Sequence, residues 1–211
     1  MAVIGRNERE KQIEDAVYHL LENQGFAETT MRSIAAAAKA SNETLYRWYG
    51  DKVGLYRTLI DRNAELVAES LSASRSSGKR GIAALGELTP IFLEMLLGDR
   101  YVALASAAVV DRSGVLQQTL DESGRKVAIP MIASLMAEAI EDGELGGGTG
   151  DAVPDIGELV ECWATLAIGD LLALRMTGVM PAFSAEAARA RSDLALKRLQ
   201  MLYPPRRHGS D

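Results

Sequence analysis

Cysteine and histidine are almost missing from this chain: in 211 residues there is one Cys, Cys162, and two His, His19 and His208. One thiol can build neither a disulfide framework nor a multi-thiolate metal site within the chain, and its natural setting is a reducing compartment. Two histidines, one within a helical pattern and one in a polar tail, cannot assemble a His-rich metal site or the Glu-x-x-His pairs of a di-iron bundle. There is no Gly-x-Ser-x-Gly elbow, and no His stands near Cys162 in sequence, so a core role suits that thiol better than a reactive one. The Gly-Gly-Gly-Thr-Gly run between Gly143 and Pro154 lacks a Gly-Lys-Ser/Thr ending and follows no strand. It reads as a connection rather than a phosphate loop. No stretch approaches the roughly 18 apolar residues of a membrane span, and the short apolar start at Met1 gives way at once to Arg6 and a charged helix. The expectation is a cytoplasmic protein that is no enzyme, needs no cofactor or metal and does not enter a membrane.

What the chain does have is an ordinary soluble composition, 47% hydrophobic and 25% charged, with length enough for one large core or two smaller ones. Its net charge of -6 argues at first against a nucleic-acid partner. Residues 1–62, however, hold 9 Lys and Arg against 9 Asp and Glu, so the whole excess of negative charge lies downstream. A neutral first segment can still present cations on one face, and the global charge discriminates poorly.

The organising stretch runs from Thr30 to Lys52. Thr30 can cap a short helix whose Met31, Ile34, Ala35 and Ala38 repeat at helical spacing. Lys39-Ala40-Ser41 interrupts the pattern, and Ser41 can cap a second short helix through Tyr49, with Leu45 facing inward. Two short helices around a tight turn form a helix-turn-helix, whose second helix enters the DNA major groove. Upstream, Asn7 and Glu10 have the spacing of a capping box. Ile13, Ala16, Val17, Leu20 and Leu21 form the stripe of a helix that Gly25 can stop. Downstream, Asp51 can cap a helix carrying Leu55, Leu59, Ile60, Leu66 and Val67, with Gly54 in its first turn either a cost or room for a close neighbour.

Thr44-Leu45-Tyr46-Arg47-Trp48-Tyr49 followed by Lys52, preceded by Gly25-Phe26 and Thr29-Thr30 and by the first helix, resembles the DNA-binding half of the tetracycline-repressor-like (TetR-type) transcriptional regulators. The resemblance is specific from about Asn7 to Tyr56 and architectural beyond. It implies a homodimer on a partly palindromic double-stranded DNA operator, with half-sites roughly 34 Å apart or near a multiple of that. It also implies a small, largely apolar effector bound in the C-terminal half, and most simply repression. The alternative is a helical ligand-binding or adaptor protein whose helix-turn-helix no longer binds DNA.

The expected DNA contacts are Thr30, Arg32, Ser41, Asn42, Glu43, Thr44, Tyr46, Arg47, Trp48, Tyr49 and Lys52. Hydroxyls, phenols and cations suit the phosphate backbone. The base-reading candidates are Ser41, Asn42, Glu43 and Arg47: Asn42 has the chemistry to read adenine, Arg47 guanine and Glu43 the cytosine amino group. For Tyr46 and Tyr49, core packing with the hydroxyl at the rim is compatible with that role. Glu43 departs from the family's small residue, and a local pair with Lys39 or Arg47 competes with base reading. Lys39 stands where the family has Gly, at a position where positive φ is expected. Arg6, Arg9 and Lys11 at the start of the first helix are either a solvated face or phosphate contacts.

The fold class is all-α. Residues 1–52 are expected as a three-helix DNA-binding domain, 53–80 as a lever helix and flexible turn through the Ser-rich stretch from Ser70 to Gly81, 81–205 as a helical regulatory and dimerisation domain, and 206–211 as a polar tail. Pro90 either starts a new helix or kinks a longer one. One helix is expected from Asp155 to Thr177. Its apolar arc is wide enough to face two partners, and it pairs with the last helix across a dimer, as the resemblance implies. On that continuous wheel Asp170 falls on the Leu159, Trp163, Leu166 stripe. It is read either as the polar anchor of an effector pocket lined by Met95, Tyr101, Leu104, Met131, Trp163 and Leu166, or as a structural ion pair with Arg100, Arg112 or Arg175, or as exposed at a dimer edge.

Overall fold

The structure, a computed structural model, describes residues 5–76, 78–146 and 153–205. Most of the Gly-rich connection, the polar tail and the apolar start lie outside those residues. Among the described residues every regular element is helical: α1 (Arg6–Glu28), α2 (Met31–Ala37), α3 (Asn42–Tyr49), α4 (Lys52–Ser76), α5 (Gly81–Leu97), α6 (Asp99–Val110), α7 (Val115–Ser123), a π-turn (Gly124–Ala128), α8 (Ile129–Glu141), α9 (Ile156–Ala167), α10 (Leu171–Met176) and α11 (Ala185–Leu202). No single helix among them is long and apolar enough to cross a membrane.

The chain divides into two compact units, the first made of residues up to Asn63 with Asp99–Ser123, the second of Ala64–Gly98 with everything from Gly124 onward. This differs from a division at residues 52 and 80. The reason is in the side chains: Leu104, Ala107, Ala108 and Leu116 are buried in the same core as Ile13, Val17, Ile34, Leu45, Leu55 and Tyr56. Helices α6 and α7 therefore belong to the N-terminal core.

An ion network also holds the first unit. Arg62 on α4 donates to Glu14 at 3.0 Å and to Glu10 at 3.1 Å, while Arg100 on α6 donates to Glu14 at 3.1 Å and to Asp15 at 2.7 Å. Arg6 closes it on Glu10 at 2.8 Å. Glu10 is thus engaged with guanidinium groups, and the capping box expected between Asn7 and Glu10 is not formed; Gly5 is the N-cap, with no side-chain bond. The Arg6 hydrogen bond and then Arg62 hold the Glu10 carboxyl below its ordinary value of 4.5, against the opposing effect of burial. A carboxyl depressed on folding stabilises fully above its unfolded value and loses that contribution as pH falls through the folded one. The melting-temperature difference between wild type and Glu10→Gln is therefore expected to be constant at neutral pH and to shrink towards zero below pH 4.5. Thermal melts across that range check it.

In the second unit α5 packs against α8, α10 and α11, and α9 packs against α8 and α11. Pro90 is accommodated inside a continuous α5. The Trp163 indole N–H donates to the Thr89 hydroxyl at 3.2 Å, and that hydroxyl donates to the Leu85 carbonyl at 2.7 Å, so a buried polar pair is fully satisfied. Carboxylates from α8 and the turn after it cap α5: Glu138 accepts from the Gly81 N–H and Glu144 from the Ile82 N–H.

Two expectations in this half are corrected. The Ser-rich stretch after Ser70 is not a turn until late, because α4 continues to Ser76. The helix from Asp155 to Thr177 is two helices, broken at 168–170, where Gly169 takes φ +52°. The break resets the helical phase, so Asp170 does not share the Trp163 stripe. It is exposed, and among the described residues no hydrogen bond or ion pair holds its carboxylate. Arg100 is engaged with Glu14 and Asp15, and Arg175 donates to the Leu97 and Met180 carbonyls.

Candidate nucleic-acid interface

The first unit positions α3 by one deep anchor and several shallow ones. Leu45 is fully buried and is the only buried residue of α3. Trp48 and Tyr49 are half-buried against the same core, their rings edge-to-face at 6.3 Å, and burial pushes the Tyr49 phenol up. Asn42, Glu43, Tyr46 and Arg47 point outward, Tyr46 with 54% of its surface exposed. An eight-residue helix thus presents an amide, a carboxylate, a phenol and a guanidinium on the side away from Leu45.

Local chemistry explains the two short helices. The Thr30 hydroxyl accepts from the Ser33 N–H at 3.0 Å while the Ser33 hydroxyl accepts from the Thr30 N–H at 2.9 Å, a reciprocal capping box. The Ser41 hydroxyl accepts from the Thr44 N–H at 3.1 Å and shares a 2.8 Å bond with the Thr44 hydroxyl. Each such cap contributes about 1 kcal/mol. Thr30 and Thr44, expected at the DNA backbone, and Ser41, expected among the base-reading residues, spend their hydroxyls first on the helix ends. Arg32 is exposed in the first turn of α2 and opposes the dipole there.

The turn between the helices is a Schellman closure: Ala40 N–H bonds the Ala35 carbonyl at 2.9 Å and Lys39 N–H the Ala36 carbonyl at 3.2 Å. That geometry demands the left-handed region at Lys39, which has φ +50° and is the one non-glycine residue with positive φ among those described. For a residue with a Cβ the conformation costs about 1 kcal/mol.

Where α3 ends, the chain turns tightly into α4. Gly50 takes φ +78°, and the Asp51 carboxylate accepts from the Gly54 N–H at 2.8 Å. A Cβ on Gly54 would stand 2.1 Å from the Tyr49 carbonyl oxygen, so glycine is required there for close approach and the helix-propensity cost is accepted.

Of the expected contacts, Lys52 is partly engaged within the protein and Glu43 is not. The Lys52 ammonium donates to the Phe26 carbonyl and lies 3.8 Å from the centre of the Phe26 ring, half-buried, and burial lowers its pKa. Glu43 is exposed, and the local pair with Lys39 or Arg47 is not formed among the described residues. Arg6 stacks over the Trp48 ring at 5.4 Å, and Arg9 donates to the Ala38 and Lys39 carbonyls. Neither arginine is simply a solvated face, and no feature of the sequence pointed to these contacts.

Of the residues expected around an effector, Tyr101 and Leu104 belong to the first unit and Met95, Met131, Trp163, Leu166 and Asp170 to the second. Leu104 and Trp163 are core residues, at 1% exposure each, and Met95, Met131 and Leu166 are half-buried. Among the described residues no cluster of three or more His, Cys, Asp or Glu is placed to hold a metal ion.

Residues 13–59, covering the helix-turn-helix and the start of α4, match the family model of bacterial regulatory proteins, tetR family. Residues 13–59 are therefore a tetR-family N-terminal domain. The rest of the tetR-type architecture follows in solved structures. The flavonoid-responsive regulator FrrA is 26% identical, with a TM-score of 0.63 over 94% of this chain and 98% of that one. A TetR transcriptional regulator from Agrobacterium tumefaciens is 24% identical, with a TM-score of 0.64 over 92% of this chain and 94% of that one. The regulator FadR from Bacillus subtilis, in complex with stearoyl-CoA, is 17% identical, with a TM-score of 0.71 over 90% of this chain and 96% of that one. No curated protein matches the chain in sequence. As in tetR-family regulators generally, a helical C-terminal unit follows the DNA-binding one.

Proposed function

We propose that this tetR-family regulator is a ligand-responsive repressor that binds a partly palindromic operator as a homodimer, one α3 in each major-groove half-site. The observation that carries the reading is the outward face of α3: a helix anchored by Leu45, with Trp48 and Tyr49 half-buried beside it, leaves Asn42, Glu43, Tyr46 and Arg47 free to reach base edges and phosphates. Unpaired in the free protein, Glu43 is available to accept from a cytosine amino group. Thr30, Arg32, Ser41, Thr44, Trp48 and Tyr49 flank that face as backbone contacts. Lys52 keeps two N–H donors beyond the one given to Phe26.

For the dimer, the support is an apolar outer face on α9 and α11. Ile156, Leu194, Met201 and Leu202 are 38%, 41%, 73% and 57% exposed. Leu194, Met201 and Leu202 lie at i, i+7 and i+8, a stripe apart from the inward one of Ala188, Ala195 and Leu199. An effector bound by the second unit would favour a dimer with the wrong separation of reading helices, and operator binding would disfavour the effector equally. FrrA is flavonoid-responsive and FadR is solved with stearoyl-CoA, which supports an effector with a substantial apolar part.

Selection of genomic DNA on the purified protein, followed by sequencing, tests the reading. A common palindromic motif is expected; recovery of random fragments alone would leave only the adaptor alternative. On the recovered duplex, Arg47→Ala is expected to lower affinity about tenfold and relax preference at one base pair. Tyr46→Ala should weaken binding to every sequence alike. Both side chains are exposed, so unchanged melting should accompany both losses. Fluorescence anisotropy with single-base variants of the duplex measures them, and full affinity in both variants would remove α3 from the interface.

A further inference from the structure

The turn that aims α3 is built on a residue poorly suited to it, and α1 supplies the remedy. A Schellman closure uses the Ala35 and Ala36 carbonyls of α2 and leaves those of Ala38 and Lys39, at the negative end of the helix, without backbone partners in the turn. Arg9, three residues before the Gln12-Ile13 core entry of α1, spans both: its Nη1 donates to the Ala38 carbonyl at 3.2 Å and to the Lys39 carbonyl at 3.1 Å. The guanidinium therefore meets two oxygens on either side of the one non-glycine residue with positive φ among those described. A cation at a helix C-terminus is electrostatically favoured as well. The chain uses the same device in its second unit, where Arg191 donates to the Ala167 carbonyl at the end of α9 and Arg175 to the Leu97 carbonyl at the end of α5.

We propose that Arg9 is a positioning residue for DNA recognition: by bridging the Ala38 and Lys39 carbonyls it holds the left-handed turn at Lys39 and so fixes the direction in which α3 leaves α2. This rests on the regulator reading above, but it assigns Arg9 a task other than the phosphate contact that its charge and place suggest. The neighbouring Arg6, stacked on Trp48, ties the same end of α1 to α3 itself. A short recognition helix with one buried side chain depends on such ties, because a small rotation about Leu45 would move Asn42 and Arg47 off their base edges.

The test is a cycle of Arg9→Ala, Lys39→Gly and the double variant in the full chain. Affinity is measured across a salt series on the duplex recovered with wild type, and amide exchange is followed at Ala40, whose N–H closes the turn. Arg9→Ala is expected to lower affinity about tenfold at every salt concentration without changing the slope of log K against log salt, and to speed exchange at Ala40 several-fold. Glycine adopts the turn without help, so in the Lys39→Gly background the same Arg9 change should cost less than threefold and leave exchange unaltered. A slope reduced by about 0.9 in Arg9→Ala would make Arg9 a phosphate contact and overturn the proposal. An equal loss of affinity in both backgrounds, or exchange at Ala40 indifferent to Arg9, would overturn it too. The exchange arm needs no DNA: if wild type binds no duplex the regulator reading falls by itself, while the hold of Arg9 on the turn is still decided at Ala40.

Discussion

Leu45→Ala is expected to abolish specific DNA binding and to lower the melting temperature of the first unit by several degrees. Helix α3 has eight residues, well short of the length at which a helix persists alone in water, so its shape is maintained by what it buries. Leu45, fully enclosed among residues of α1, α2 and α4, is its only buried side chain. Leu-to-Ala changes at such sites cost about 2–5 kcal/mol, combining the lost transfer of the side chain with the cavity left behind. That is a large share of a domain stability of about 5–15 kcal/mol. The half-buried Trp48 and Tyr49 would remain, but they grip only the C-terminal turn of α3. Circular dichroism melts and anisotropy on the selected duplex read both effects. Wild-type melting together with wild-type affinity would mean that α3 is held by something other than Leu45.

Glutamate at two nearby positions on α11 should give opposite kinds of damage. Leu199 is fully buried within its own unit, so Leu199→Glu forces an unpaired carboxylate into a core, a cost of several kcal/mol, and the chain should fail to fold. Leu202 is 57% exposed within one subunit, so the same substitution costs a folded monomer almost nothing. In the proposed dimer, however, Leu202 enters the interface and its carboxylate would be desolvated without a partner. Leu202→Glu is therefore expected to keep its helix content and melt cooperatively while sedimenting as a monomer at micromolar concentration, with operator affinity down at least a hundredfold. If Leu202→Glu remains a dimer, subunits meet through another face; if wild type is itself a monomer, the two-half-site model fails.

The recognition segment was legible in sequence because its determinants are local. Thr30 and Ser41 cap helices through bonds spanning three residues, Leu45 is the one aliphatic residue of its octet, and Gly25 and Lys39 mark places where the backbone must leave the helical region. Such features follow from hydrogen-bond reach and from the sterics of one or two residues. The all-α class follows in the same way from helical periodicity sustained along the chain.

Long-range contacts were beyond that reading. Nothing local says that Arg9 will meet carbonyls some thirty residues away, that the Lys52 ammonium will be given to Phe26, or that Glu14 will be shared by Arg62 and Arg100. The placement of α6 and α7 with the N-terminal core is of the same kind, because helices with apolar faces can satisfy them against more than one neighbour. Asp170 shows the limit of periodicity: an angle computed on a continuous helix has no meaning across Gly169, where a single positive φ resets the phase. By itself the sequence determined the helical class, the caps and turns of the reading head and the inward residue of α3. Only the tertiary structure decided which charges are spent within the protein and which remain for DNA, because a cation's role is set by the acceptors brought within about 3 Å of it, and those come from distant parts of the chain.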